Sequence, residues 1–438
     1  MKEQFFALTG RLEKSLKGGE TLLCNLSAER SDFVRFNKAL VRQAGSVEQS
    51  YLNLRLVRDR RQVSATVALA GDAEDFSLCT KTLGTLRDAL GDLPEDPWLL
   101  INEKPQSTDT ERHGTVLPAQ EVVEQTMRFA KGRDLVGFYA GGTIYRGFAN
   151  SLGQRNWHEV DNFSFDWCLY HQADQAVKTS YAGFGWNSVD FASKMQRASE
   201  QVELLSLPVR KLEPGEYRAY LAPRALEDIM YMLTWGGFSA RARQTKQSPL
   251  LRMQEGRTLA SQVTITENTG EGIAPAFQSE GFIKPPVVTL VAGGKLSDAL
   301  ASPRSAKEYK LATNGAGGNE SPESMDLAAG ALPEADVLAK LGTGLYISNL
   351  WYLNFSDRPA GRITGMTRFA TFWVENGGIV APVTPMRFDD SVYRILGESL
   401  VDFTRERELL PDTSTYMERQ TGSARLPGAL LSSLRFTL

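Results

Sequence analysis

Two long segments after residue 340 constrain the fold most, because both have the side-chain pattern of β-strands. Residues 343–353 and 367–380 are rich in β-branched and aromatic side chains that alternate with polar positions. Asn376 and Gly377, inside the second segment, supply the dipeptide of a tight hairpin turn. We expect a long strand pair here. It is either an exposed edge that can bind an extended peptide or the paired interior of a sheet.

Helical and strand patterns alternate over the first 206 residues. Apolar residues recur with helical spacing in four segments, 1–18, 73–91, 119–131 and 188–206. Between these helices, short runs alternate apolar and polar residues, which is typical of antiparallel strands. Two such runs, 135–139 and 142–148, are expected to pair across a turn at Ala140 and Gly141.

These patterns predict an α+β fold whose N-terminal domain covers residues 1–206. That domain is expected to hold two helix–antiparallel sheet–helix units, 1–92 and 119–206. Segment 93–118 contains four prolines and a polar run, so we expect it to be an extended linker between the units.

The remaining residues, 207–438, predict a second, β-rich domain with one clear helix from Arg224 to about Thr234. The segment 301–333 is rich in Gly, Pro, Ser and Asn, and we expect it to form a long loop. Its glycine-rich stretch, 314–319, lacks the following Gly-Lys-Ser/Thr and the preceding strand of a phosphate loop, which argues against nucleotide binding.

Composition and charge exclude several classes of protein. The chain has 438 residues, 42% hydrophobic and 23% charged, as in ordinary globular proteins of more than one domain. A net charge of −3 gives no electrostatic attraction to nucleic acid or to an anionic membrane. No apolar run is long enough to span a bilayer, and the N-terminus opens a helix pattern, so we expect a cytoplasmic protein.

Residues that commonly bind metals are few. The three cysteines, Cys24, Cys79 and Cys168, have no framework spacing and predict reduced, packed thiols. Cys168 and His171 are three residues apart in a strand-like segment, so their side chains point to opposite faces. His158 lies in a separate segment and His113 in the predicted linker. These residues therefore predict no zinc site.

Several short motifs, taken in order, resemble those of the TldD/PmbA (TldE) family, described as peptide-maturation metalloproteases and, by an older name, modulators of DNA gyrase. The matching segments are 141–142, 150–153, 272–277, 280–281, 344–348, 364–365, 371–377 and 379–383. They span most of the chain, and the last two are the most specific. The resemblance implies the fold of that family.

The resemblance also implies where a zinc site would lie. Catalytic members carry His-Glu-x-x-x-His on a helix early in the C-terminal domain, and a cysteine near the C-terminus completes the site. The corresponding positions here hold Tyr231, Met232 and Gly236. No histidine follows His171 and no cysteine follows Cys168. The chain is therefore most similar to the non-catalytic PmbA/TldE-like branch, with no catalytic residues, no metal ligands and no cofactor expected.

In that branch the resemblance implies a heterodimer with a TldD-like catalytic subunit and an extended peptide substrate. The expected peptide- or partner-facing residues lie on the two opening strands: Tyr346, Ser348, Asn349, Trp351, Tyr352, Arg368, Thr371 and Trp373.

Two alternatives stay open. One is a homodimeric peptide- or protein-binding scaffold without a protease partner. The other is an enzyme with unrelated acid/base chemistry. Its candidate carboxylates, which no spacing singles out, are Glu267, Glu271, Glu280, Glu320, Asp389 and Asp390.

Overall fold

The computed structural model describes residues 1–437, which form two β-sheets with helices packed on them. The α-helices in these residues are α1 (Lys2–Glu13), α2 (Glu74–Leu90), α3 (Ala119–Ala130), α4 (Ser188–Leu204), α5 (Pro223–Thr234), α6 (Ala240–Gln244), α7 (Leu251–Gln254), α8 (Pro303–Tyr309) and α9 (Val337–Leu341). Short 3-10 and π-helical turns lie at Glu334–Asp336 and Arg394–Glu398. None of the helices in residues 1–437 has the length and apolar character to cross a membrane.

The first sheet is built entirely from the first 183 residues. Its strands are β1 (Thr21–Asn37), β2 (Leu40–Arg58), β3 (Arg61–Ala68), β4 (Thr108–Arg112), β5 (Asp134–Asn150), β6 (Arg155–Gln172) and β7 (Gln175–Gly183). They are ordered β3-β2-β1-β5-β6-β4, and β7 also pairs with β6. The two predicted helix–sheet–helix units therefore share one sheet, joined by the long antiparallel pairing of β1 with β5.

The prediction of a turn at Ala140 and Gly141 is wrong, because β5 runs straight through these residues. The two glycines leave room for neighbouring atoms that a side chain would contact, and they do not form a turn. A Cβ on Gly141 would lie 2.1 Å from the hydroxyl of Tyr139. Gly142 has a φ of +141°, and a Cβ there would lie 2.2 Å from the carbonyl oxygen of Arg30 on β1.

The predicted linker, 93–118, is not wholly extended surface chain. Residues 108–112 form β4, which pairs in parallel with the start of β6. Asn156 holds the beginning of this strand, since its side-chain oxygen accepts hydrogen bonds from both the backbone N–H and the hydroxyl of Thr108. Because these contacts depend on a residue 48 positions away, local composition could not reveal the strand.

The second sheet is built from residues 215–436. Its strands are β8 (Gly215–Leu221), β9 (Ile265–Glu267), β10 (Val288–Ala292), β11 (Lys295–Leu296), β12 (Ser324–Leu327), β13 (Gly344–Asp357), β14 (Arg362–Glu375), β15 (Gly378–Pro382), β16 (Arg387–Ser391), β17 (Leu400–Pro411) and β18 (Ser423–Phe436). Strand β8 pairs with both β13 and β18, so five strands, β8-β13-β14-β16-β18, close on themselves. Helix α5 packs against β13 and β18. The α+β prediction with a β-rich C-terminal half is confirmed.

The two opening segments form the predicted strand pair. β13 and β14 are antiparallel neighbours, and β14 continues through the Asn376–Gly377 turn into β15. The other side of β13 is covered at residues 345–347 by β8, so this part is interior to the sheet. Beyond residue 347, no second strand pairs with β13 within residues 1–437.

The predicted long loop at 301–333 contains two ordered elements, α8 and β12. Ser302 caps α8 by accepting a hydrogen bond from the backbone N–H of Ser305. The buried carboxylate of Glu320 accepts hydrogen bonds from the hydroxyls of Ser239 and Ser302. The glycine-rich composition is therefore compatible with a segment fixed by side-chain hydrogen bonds.

A connection between β17 and β18, residues 412–422, reaches across to the first sheet. Its Arg419 is 5% exposed. The guanidinium donates to the carbonyl oxygens of Asn162 (2.9 Å) and Gly142 (3.2 Å) and to the Asn162 side chain. Burial lowers the pKa of Arg419 to about 10. This connection, which we call the strap, ties the two sheets together, and the buried Arg419 is one of its contacts.

Candidate functional site

Side chains on one face of helix α5 are buried in the core, and those on the other face line a cleft. Pro223 starts the helix, where its missing N–H costs nothing. Leu226, Ile229 and Leu233 recur at helical spacing and are fully buried in the core of the second sheet. Residues 224, 227, 228 and 231 have the complementary spacing and lie on the other face. That face meets the first sheet.

An ion-pair cluster occupies the beginning of this face. The guanidinium of Arg224 lies 2.7 Å from the carboxylate of Glu227, one turn along the helix, and 3.6 Å from that of Asp166 on β6. Asp228 accepts a 3.2 Å hydrogen bond from the backbone N–H of Leu350 on β13. The cluster thus joins the first sheet, α5 and the β13 strand.

The two α5 carboxylates hold their protons more tightly than usual. Burial raises the pKa of Glu227 to about 7, opposed by Arg224 and helped by the neighbouring Asp228 charge. Burial also raises the pKa of Asp228 to about 6, opposed chiefly by Arg224. Lys178 on β7 acts on both groups in the same direction as Arg224. Such shifted carboxyls in a cleft mark a candidate functional site.

Two cavities meet at Arg224. The first, which we call the basic cavity, has a volume of about 480 Å³. Its charged and hydroxyl-bearing walls include Lys178, Lys194, Arg197, Arg224, Tyr346 and Ser348. The second, the α5 cavity, has a volume of about 410 Å³ and is lined by Glu227, Asp228 and Tyr231. Both volumes are in the range of small-ligand sites.

The side chains of α5 do not fit a zinc ion. Tyr231 is 58% exposed at the cleft and stacks edge-on against Trp235, with ring centroids 6.0 Å apart. Met232 is buried in the core. Gly236 has a φ of +88°, a backbone conformation that would strain any side chain there. Within residues 1–437, no group of three or more His, Cys, Asp or Glu side chains is placed to hold a metal.

Of the predicted peptide- or partner-facing residues, two line the basic cavity. The Tyr346 ring packs against Tyr220 and Phe372, with centroids 5.5 and 6.4 Å away. Ser348 also lines the cavity, and its hydroxyl donates a 2.8 Å hydrogen bond to the side-chain oxygen of Asn349. Asn349 itself is buried.

The other predicted residues separate into exposed and buried groups. Trp351 and Tyr352 are exposed, and the Arg368 guanidinium lies 5.1 Å from the Trp351 ring centroid. Thr371 and Trp373 are buried, and Trp373 packs edge-on against Tyr217, with ring centroids 5.8 Å apart. These two side chains are therefore not offered to a partner on the surface of the folded chain.

The carboxylates singled out in the sequence do not converge. Each is engaged locally: Glu267 with the N–H groups of Glu323 and Ser324, Glu271 with Arg425, Glu280 with Arg55, Glu320 with Ser239 and Ser302, Asp389 with Arg362, and Asp390 with Arg394. Burial raises the pKa of Glu267 to about 7, but its oxygens hold the backbone at the start of β12. These partners indicate structural roles.

His158 and His113 have different surroundings. His158 is buried and its Nε2 lies 2.9 Å from the carbonyl oxygen of Ile273. Burial lowers its pKa to about 4. His113 is exposed beside Asp161, which raises its pKa.

Sequence reasoning missed Arg224, Glu227 and Asp228. Their spacing on one face of a helix was visible, but charged residues on a helix face are usually solvated. Their burial and the approach of Asp166 from β6 appear only in the folded chain.

Comparison with known proteins gives a consistent assignment. The model of the PmbA/TldA metallopeptidase C-terminal domain matches residues 214–438. No curated protein sequence matches the chain significantly. Three solved structures share the fold at low identity. TldE from Thermococcus kodakarensis has a TM-score of 0.80 at 14% identity, covering 99% of this chain and 100% of its own.

The other two are described as proposed modulators of DNA gyrase. The Thermotoga maritima protein has a TM-score of 0.78 at 16% identity, covering 99% of both chains. The Bacteroides thetaiotaomicron protein has a TM-score of 0.76 at 16% identity, covering 100% of this chain and 98% of its own. These likenesses show the fold, and the domain match covers more than half of the sequence. The chain therefore belongs to the TldD/PmbA (TldE) family of metallopeptidase-related proteins.

Proposed function

We propose that this chain is a non-catalytic, TldE-like subunit that works with a TldD-like, zinc-bearing subunit on unfolded peptides. One observation carries the proposal. At the α5 positions that correspond to the zinc motif, the chain has an exposed tyrosine, a core methionine and a left-handed glycine. None of these is the histidine or the glutamate that the zinc motif requires at its position.

The cleft supports a role in peptide binding. The basic and α5 cavities share Arg224 as a lining residue, and the basic cavity lies between β7 of the first sheet and the second sheet. Tyr346 and Ser348, expected to face a peptide, both line the basic cavity. Exposed Trp351 and Tyr352 extend the same strand outward, and exposed aromatic side chains are common anchors in protein interfaces.

The test is capture of the tagged chain from its native cells, followed by identification of stably bound chains and by light scattering. The proposal expects a partner that carries His-Glu-x-x-x-His and a heterodimeric mass. A persistent homodimer without such a partner would contradict it and would favour the scaffold alternative.

The raised pKa of Glu227 supports a second candidate, acid/base catalysis within the cleft, since a carboxyl with a pKa of about 7 can donate or accept a proton near neutral pH. Replacing Glu227 by Gln removes that capacity. Under this alternative, the purified chain has a peptide-cleaving activity that resists chelators and is lost in Glu227→Gln. Under the leading proposal, neither form has activity by itself.

A further inference from the structure

The basic cavity carries more positive than negative charge. It lies between β7 and α4 on one side and α5, α9 and β13 on the other. Its charged lining residues are the cations Lys178, Lys194, Arg197 and Arg224 and the carboxylates Glu334 and Glu408. Two of these cations form salt bridges with the two carboxylates of the lining. Lys194 lies 2.8 Å from Glu408, and Arg197 lies 2.6 Å from Glu334.

The two remaining cations differ in their surroundings. Arg224 is held by Glu227 at 2.7 Å. Lys178 forms no ion pair with a carboxylate in residues 1–437, and its ammonium lies 5.9 Å from the ring centroid of Phe369. Among the described residues, Lys178 is therefore the one cation of the wall outside a salt bridge, and its charge acts at longer range on Glu227 and Asp228. A monovalent anion matches it better than a doubly charged phosphate does.

The N-terminus of α5 adds to the positive potential. Ala222 and Pro223, which begin the helix, line the same cavity. No side chain caps the first turn, so its free N–H groups are not satisfied by a side chain. The partial positive charge of a helix N-terminus favours a carboxylate placed nearby.

Another part of the wall is apolar. Val337 and Leu338 of α9 line the cavity beside the rings of Tyr220 and Tyr346. The occupant that fits both parts has a single carboxylate attached to an apolar group. The volume of about 480 Å³ holds a few residues of an extended chain, not a folded partner.

We infer that the basic cavity binds the C-terminal carboxylate of a peptide whose last side chain is apolar, with Lys178 as the carboxylate's main partner. This inference rests on the proposed peptide-handling function and states where in this chain the C-terminal end of the peptide binds. Arg224 and the start of α5 orient the carboxylate, and α9 receives the side chain.

The test measures binding of an N-terminally labelled, alanine-rich hexapeptide ending in leucine to the purified chain by fluorescence anisotropy. The peptide is made with a free C-terminal carboxylate and as the C-terminal amide. We expect the acid to bind about tenfold more tightly than the amide, because only the acid offers a charge-assisted hydrogen-bond acceptor. Inorganic phosphate at equal concentration should not displace it.

Lys178→Gln should abolish the preference for the acid, and Lys178→Arg should retain most of it. Lys81→Gln, an exposed lysine on α2, is the matched control and should change neither affinity. If Lys178→Gln does not fold, comparison of acid and amide on the unaltered chain decides the question.

Equal affinities for the acid and the amide, displacement by phosphate, or no binding of either peptide would overturn the inference. The proposed function is judged separately, since partner capture and heterodimer mass do not depend on this cavity. If the chain assembles with its partner but binds the acid and the amide with equal affinity, only the inference about the cavity is refuted.

Discussion

The guanidinium of Arg224 lies 2.7 Å from the carboxylate of Glu227, one turn farther along α5. This pair faces the first sheet, where Asp166 lies 3.6 Å from the same guanidinium. One more turn along, Tyr231 stands where the family resemblance puts the first zinc ligand. The cleft face of α5 therefore presents a charged, hydrogen-bonding surface.

The first prediction concerns pH. Glu227 has a folded-state pKa of about 7 against an ordinary value of 4.5. Between these values the folded chain keeps a proton that the unfolded chain loses, so the free energy of unfolding falls as pH rises. The contribution of Glu227 is fully present below pH 4.5 and lost above pH 7. Raising the pH from 5 to 8 should therefore lower the free energy of unfolding of the chain that retains Glu227 by about 2 kcal/mol more than that of Glu227→Gln.

Urea unfolding at the two pH values measures this difference. Both proteins carry Asp228→Asn for this comparison, because the charges of Asp228 and Glu227 are coupled. Glu267, whose pKa is also raised, is present in both proteins and cancels. Identical losses of stability in the two proteins would mean that Glu227 titrates normally.

The second prediction concerns Tyr352. It is 85% exposed and has a φ of +57°, a conformation that strains a side chain without any packing to offset it. Tyr352→Gly should leave the free energy of unfolding unchanged or raise it by up to about 1 kcal/mol. The matched control is Tyr416→Gly, an equally exposed tyrosine without a positive φ, which should be destabilised. A clear loss of stability in Tyr352→Gly alone would contradict the strain argument.

The third prediction concerns the strap at 412–422. Arg419→Met removes the buried hydrogen bonds to Asn162 and Gly142. It should cost about 3 kcal/mol and make the strap more sensitive to limited proteolysis. Arg405→Met, at an exposed arginine on β17, should do neither. Unchanged proteolysis of the strap in Arg419→Met would show that other contacts hold it.

The fourth prediction separates packing from recognition on β13. Trp351 is 45% exposed, and its main contact is the Arg368 guanidinium. Trp351→Ala should therefore change the free energy of unfolding by less than about 1 kcal/mol while weakening partner assembly about tenfold. Trp98→Ala, at an exposed tryptophan outside both cavities, is the control for general surface effects. Unaltered assembly in a folded Trp351→Ala protein would give this residue a structural role only.

Local pattern was enough to find the five longest helices, α1 to α5, and the β13–β14 pair, because each repeats its apolar spacing over many residues. The short helices α6 to α9 were not predicted. The sequence also shows that the family's zinc ligands are missing, because no histidine or cysteine follows position 171. The family motifs supplied the fold.

Features that depend on distant neighbours could not be read in this way. Gly141 and Gly142 resemble a turn in sequence, and only the approach of Tyr139 and Arg30 explains them. Glu227 resembles a solvated helix residue in sequence, and only its burial in the folded chain raises its pKa. Thr371 and Trp373 alternate like exposed strand residues, but both are buried in the folded chain, where Tyr217 packs against Trp373.

The most direct test of the central claim is peptide hydrolysis by the purified chain, measured with and without a TldD-like subunit from the same cells. We expect no hydrolysis by the chain alone. We expect the two subunits together to hydrolyse the peptide, in a reaction that chelators abolish and that requires the partner's His-Glu-x-x-x-His motif. Hydrolysis by the chain alone, at a rate that the partner does not increase, would contradict it.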